Sequence, residues 1–214
     1  MSGVEEQSLA KWAFYDFFSK VLYQPEQDML EHEFQQLLKE ANNEYQAINP
    51  ELVADFCQLV DHQLSLQELL VEYGKLFVGP AEVLAPPYES YYRDSGTVMG
   101  ASTIGVKKFY QKTGMEMLKE IKEPPDHIAI EMNFLAQLFR MQTQLLEDQD
   151  TDRAEQIMTL AAEFYLKHPA VWIEEFCNRV RQKSQHEFYI LVAKMLLEFH
   201  NREMQYYSQV AFSN

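Results

Sequence analysis

In the segment EPPDHIAIEMNF, residues 123–134, an aspartate, a histidine and a glutamate fall within about one and a half helical turns. A proline pair ahead of Asp126 is ordinary helix-start chemistry, and Asp126 would sit near the positive end of the helix dipole. At 100° per residue with Asn133 at zero, Gln137, Arg140 and Gln144 fall within about 40° of it and form a solvated stripe. The rest of the arc carries Ile128, Ile130, Met132, Phe134, Leu135, Leu138 and Phe139, so the helix should be central. His127 and Glu131 sit at about 120° and 160°, inside that apolar arc and one turn apart. A charge there needs a partner or a purpose. On one reading Asp126 is a cap and His127 a satisfied core histidine. On the other, Asp126, His127 and Glu131 line a pocket as a polar patch that accepts donors from a ligand. His127, one turn before Glu131 on the apolar arc, is expected to sit protonated and paired with it.

Other chemistries fit less well. Di-metal helical bundles use Glu-x-x-His, and none of the six histidines has a glutamate three residues before it. His127 with Glu131 and His200 with Glu203 are the close pairs, and one pair per helix is weak for a metal; no metal and no cofactor is expected. GASTIGVKK has the glycine spacing of a phosphate loop, but Val106 precedes Lys107, no Ser or Thr follows, and no strand leads into it. There is no nucleophile elbow, and the residues give no triad, so no enzyme is expected. Cys57 and Cys177 lack CxxC spacing and read as buried free thiols.

The elements that must position these residues are helical. Apolar periodicity gives a first helix with Leu9, Trp12, Ala13, Phe17 and Val21 on one face, a second from Glu26 to about Asn43, a third from near Pro50 and a fourth capped by Ser65. Further helices fit 103–118, with Gly114 a weak point, then about 126–146, 152–167, 169–184 and 186–209. No stretch alternates long enough for a strand. The expectation is an all-α fold, one domain over residues 1–214 with about nine to ten helices. Residues 72–100, EYGKLFVGPAEVLAPPYESYYRDSGTVMG, break the pattern. They hold Pro80, Pro86 and Pro87 and four tyrosines and read as a long non-helical strap. Long ordered loops in helical domains are usually functional.

Charge narrows the partners. Of the 214 residues, the first hundred carry 17 acidic and 5 basic side chains, and the whole chain is at −15. Such a surface repels nucleic acid and favours basic partners. No apolar run approaches a membrane span, and the N-terminus is acidic where a signal peptide is basic. The cytoplasm is therefore the expected compartment.

The blocks YGKLFVGP, APPYESYY and EPPDHIAIEMNFLAQL, in that order, resemble the TorD/DmsD family of cytoplasmic chaperones. So does the later HPAVWIEEFCNRV…FYILVAKMLLEF, and the likeness covers roughly residues 65–200. The resemblance implies an all-helical fold without catalysis. It also implies binding of the twin-arginine signal peptide and apo-form of a molybdenum-cofactor oxidoreductase of dimethyl sulfoxide or trimethylamine N-oxide reductase type. That binding would assist cofactor insertion and delay export. By matching position it makes Tyr73, Leu76, Phe77, Pro87, Tyr88, Glu89, Ser90, Gly100, Pro125, Asp126 and His127 the peptide-site candidates; Tyr92 and Glu131 join them from the strap and the apolar arc. Leu76 and Phe77 could equally be core, continuing a helix stripe.

The residues and the resemblance agree. A leader has an arginine pair and an apolar run, and an acidic protein with an aromatic groove complements both. The strap should wall that groove against the helix starting at Asp126. Exchange of elements between protomers would give a homodimer. Two other readings stay open: a nucleotide-dependent switch on the same fold, and a helical scaffold subunit of a respiratory complex.

Overall fold

A computed structural model describes residues 3–62, 64–79 and 82–211. Among these, ten α-helices form: α1 Gly3–Val21, α2 His32–Tyr45, α3 Pro50–Asp61, α4 Leu66–Tyr73, α5 Glu89–Arg93, α6 Ala101–Lys112, α7 Ile128–Glu147, α8 Thr151–Lys167, α9 Ile173–Lys183 and α10 Glu187–Ala211. Side-chain caps set several starts. Ser65 accepts the Glu68 N–H, Asn49 accepts that of Glu51 ahead of a first-turn proline, and Asp150 accepts that of Arg153. The fold is all-α, and the one extended pairing among the described residues is a single antiparallel bridge between Tyr88 and His127.

α7 is central, as its apolar arc requires: Ile128, Met132, Leu135 and Leu138 have no exposed surface, while Asn133, Arg140 and Gln144 face water. α1 is more enclosed than its pattern suggested. It packs against α7, α2 and α10, so Lys11 and Tyr15 are buried along with Ala13, Phe17 and Val21. Leu9, expected on the buried face, is 38% exposed.

Three boundaries differ from expectation. The second helix is split: Gln27–Leu30 forms a 3-10 turn, and Glu31, with extended backbone, separates it from α2. The break lets both Met29 and Phe34 enter the core. Gly114 does not lie inside a helix. α6 ends at Lys112, and Gly114 takes φ +73°, the left-handed conformation that terminates helices. The strap is not wholly irregular, since α5 forms within it. Pro80, expected to stop the fourth helix, lies outside the described residues; α4 continues as a π turn over Gly74–Val78. Cys57 and Cys177 are buried free thiols. Among the described residues no helix is long and apolar enough to cross a membrane.

Candidate functional site

The strap is held along its middle. The Ala85 N–H donates to the Leu76 carbonyl at 2.8 Å, and the Arg179 Nε donates to the Leu84 carbonyl at 2.6 Å. Prolines 86 and 87 keep the next residues extended. That extended piece then pairs with the chain entering α7: Glu89 N–H to the Asp126 carbonyl at 3.0 Å, and Ile128 N–H to the Pro87 carbonyl at 2.8 Å. The strap therefore meets the start of α7 in a two-bond β-bridge.

Asp126 completes the junction. It is fully buried, and its Oδ2 accepts the Ser90 N–H at 2.9 Å. It is not the cap of α7. His127 holds that position, its Nδ1 accepting the Ala129 N–H at 3.1 Å. That bond fixes the tautomer: a neutral ring whose Nδ1 accepts must carry its proton on Nε2. Burial pushes the His127 pKa down to about 3, so the ring is neutral. The expected protonated His127–Glu131 pair does not form. Only their backbones bond, Glu131 N–H to the His127 carbonyl at 3.0 Å, and the Glu131 side chain turns elsewhere. His127 Nε2–H is a buried donor with no partner, in a ring set edge-on to Tyr88 and Tyr23. Tyr88, half-buried, donates its hydroxyl to Glu123 at 2.6 Å.

Behind the junction lie three buried carboxylates, Glu89, Asp126 and Glu131. Glu89 bonds His168 Nδ1 at 2.9 Å. Glu131 Oε2 accepts the Trp172 indole N–H at 3.3 Å. Burial first, then the charges of Glu89 and Asp126, push the Glu131 carboxyl well above the usual carboxylate range.

The other expected site residues divide. Leu76 and Phe77 are core, with Phe77 packed against Tyr73, Phe176 and Tyr189; Tyr73 is buried with them. They support the strap from the core side. Tyr92 stacks on Trp172 at 5.3 Å between centroids. Pro125 gives its carbonyl to the Tyr110 hydroxyl at 3.0 Å. Gly100 is steric: a Cβ there would stand 2.3 Å from Asp94 Oδ2. Asp94 needs that space to accept the Ser102 N–H and hydroxyl at the start of α6. A carboxylate therefore occupies the very helix start that a phosphate loop would offer, which disfavours the nucleotide reading.

Two features escaped the sequence reading. One is the contribution of Tyr23, edge-on to the His127 ring, and of Glu123, which accepts the Tyr88 hydroxyl. The other is a second buried charge centre, where Lys11 pairs with Glu203 at 2.8 Å and Tyr15 and Tyr45 donate to the same carboxylate. His200, expected beside Glu203, bonds the Tyr165 hydroxyl instead, at 2.9 Å. Among the described residues no group of three or more His, Cys, Asp or Glu side chains is placed to hold a metal.

Known proteins share this chain's sequence and architecture. The family described as nitrate reductase delta subunit matches residues 27–178. A chaperone protein TorD from Vibrio cholerae is 28% identical over 157 residues, covering 72% of this chain and 70% of that one. A chaperone protein TorD from Vibrio parahaemolyticus is 24% identical over 199 residues, 91% of each chain. The crystal structure of a protein from Archaeoglobus fulgidus, described as a redox enzyme maturation protein, superposes with a TM-score of 0.58 at 25% identity, covering 89% of this chain and 91% of that one. The relatives are named as chaperones and not as enzymes. The chain belongs to the nitrate reductase delta subunit family, the TorD-like chaperones of redox-enzyme maturation.

Proposed function

We propose that the protein binds the twin-arginine leader of a molybdenum-cofactor oxidoreductase precursor of the dimethyl sulfoxide or trimethylamine N-oxide reductase type. It holds the apo-enzyme in the cytoplasm while cofactor is inserted, and so delays export. The single observation carrying this reading is the junction of strap and α7. There a neutral histidine with an unpartnered N–H lies between two tyrosines, beside the carboxylate of Glu123.

The chemistry follows from those groups. His127 Nε2–H donates to a carbonyl of the bound peptide, relieving a buried donor that otherwise has no acceptor. Tyr88 and Tyr23 give aromatic surface for the stems of arginine side chains. Glu123 takes a guanidinium in a charge-assisted bond, exchanging its tyrosine partner for a cation. Asp126 and Ser90 act one step back, holding the strap in register. Asp126 was expected to meet an arginine directly; as the structure stands its Oδ2 is engaged by the Ser90 N–H, which gives it the tying role.

A synthetic peptide with an arginine pair ahead of a leucine run, titrated by calorimetry at two salt concentrations, tests the reading. It should bind more tightly than its lysine-pair counterpart, because guanidinium bonds a carboxylate through two N–H groups. Part of the affinity should fade with salt, since exposed charges are screened beyond about 8 Å at physiological ionic strength. Equal affinity for the two peptides at both salt concentrations would remove the arginine-specific part of the account.

A further inference from the structure

A groove of about 270 Å³ runs from the end of α1, past the 3-10 turn at Gln27–Leu30, to the loop before α7 and the first turn of α7. Tyr23, Met29, Ile121, Ala129 and Ile130 line it, and Glu26 and Asp28 stand at its rim. Lys20, also on the wall, is already paired with Asp16 at 2.8 Å. The rim therefore offers negative charge that its neighbouring cation does not cancel. The groove is continuous with the junction through one ring: Tyr23 lines it and stands edge-on to His127, with centroids 5.7 Å apart. Burial, then the charges of Glu123 and Glu26, raise the Tyr23 phenol above its usual range.

Size and charge select the occupant. Pockets for drug-sized ligands begin at about 300 Å³, so this one suits a side chain or two. Its acidic rim repels phosphate and attracts ammonium or guanidinium. We propose that this groove takes an apolar side chain from the leader's hydrophobic run, while Glu26 and Asp28 hold a cationic residue of the same peptide. This rests on the leader reading and adds to it: the junction meets the arginine pair and the groove meets the segment next to it. A second acidic-rimmed groove, between α1 and α2, is lined by Leu9, Ala13, Leu37 and Ala41. It shares no lining residue with the junction, so it serves as the internal comparison.

The test uses the full chain and the same arginine-pair peptide, with a photoreactive leucine in its leucine run. Cross-links should map to Met29, Ile121 or Ile130. Ile121→Gln, at a half-buried position, should weaken the leucine peptide by about tenfold, the low end for losing an apolar pocket contact. It should leave unchanged the affinity for a peptide whose run is serine, and melting temperatures should stay level. Leu37→Gln should change neither affinity. Cross-links at Leu9 or Leu37, or full affinity of Ile121→Gln for the leucine peptide, would overturn the groove assignment while the leader reading stands. Wild-type protein that holds neither arginine-pair peptide would overturn both.

Discussion

Two buried charge centres sit in this protein, and they are built to opposite rules. In the first, Lys11 and Glu203 are 1% and 0% exposed and paired at 2.8 Å. Tyr15 and Tyr45 each donate to the carboxylate at 2.5 Å, and the Lys11 ammonium lies 3.5 Å from the Tyr206 ring centroid. Charge is balanced, both carboxylate oxygens have donors, and the first helix is clamped to the last. In the second, Glu89, Asp126 and Glu131 gather three acids with no lysine or arginine bonded to them. Asp126 Oδ1, Glu131 Oε1 and His127 Nε2 are left without partners. A buried polar group without a partner costs about 1–3 kcal/mol. A fold under selection for stability alone would remove such groups, and this contrast with a fully satisfied clamp is what supports the recognition role proposed for the second centre.

The clamp should show the largest effect when broken. Glu203→Gln leaves Lys11 buried without its counter-charge, and loss of one member of a buried pair costs about 3–5 kcal/mol. Urea unfolding should show that loss, and adding Lys11→Met should restore much of it. A loss below about 1 kcal/mol would mean the pair is dispensable and the contrast between the two centres is false.

Glu131→Gln should have the opposite sign. In the folded chain Glu131 keeps its proton well above the usual range, whereas in the unfolded chain it ionises near pH 4.5. Above that pH the unfolded state binds fewer protons, so stability falls as pH rises toward the folded pKa, by up to about 1.4 kcal/mol per pH unit. Below about pH 4 the penalty vanishes. The glutamine oxygen can still accept from Trp172 and carries no charge to bury. The variant should therefore be more stable than wild type at pH 7, with the gap closing as pH falls toward 4. A gap independent of pH would show that Glu131 is not the group bearing the penalty.

The sequence disclosed these regions unequally, for physical reasons. Helices of several turns announce themselves through periodicity, and α7's near-complete apolar arc marked it as central and placed His127 and Glu131 inside it. The strap was visible from its prolines, yet its register was not: a bridge of two hydrogen bonds leaves no alternating pattern. α5 spans five residues, too few for a periodic signal. Asp126 read as a cap because helix starts favour aspartate, and the strap claimed its side chain instead. The Lys11–Glu203 clamp joins residues 192 positions apart, and a lysine on a helix reads as solvent-facing until three neighbouring helices enclose it. Glu89 gave no hint of burial, since its histidine partner lies 79 residues away.

His127→Asn most directly tests the claim that the junction is a recognition surface. Asparagine caps a helix well, so α7 keeps its start, but the shorter side chain has lost the ring N–H. Wild-type His127 has its pKa lowered to about 3 against about 6.5 unfolded, so the unfolded state binds the extra proton and stability drains away as pH falls from 6.5 toward 3. The variant lacks that drain. At pH 7.5, where the histidine is neutral in both states, melting temperatures should match, while affinity for the arginine-pair peptide should fall about 2- to 10-fold, the worth of one neutral hydrogen bond. Matched melting temperatures with unchanged affinity would contradict the account and return His127 to the role of a helix cap.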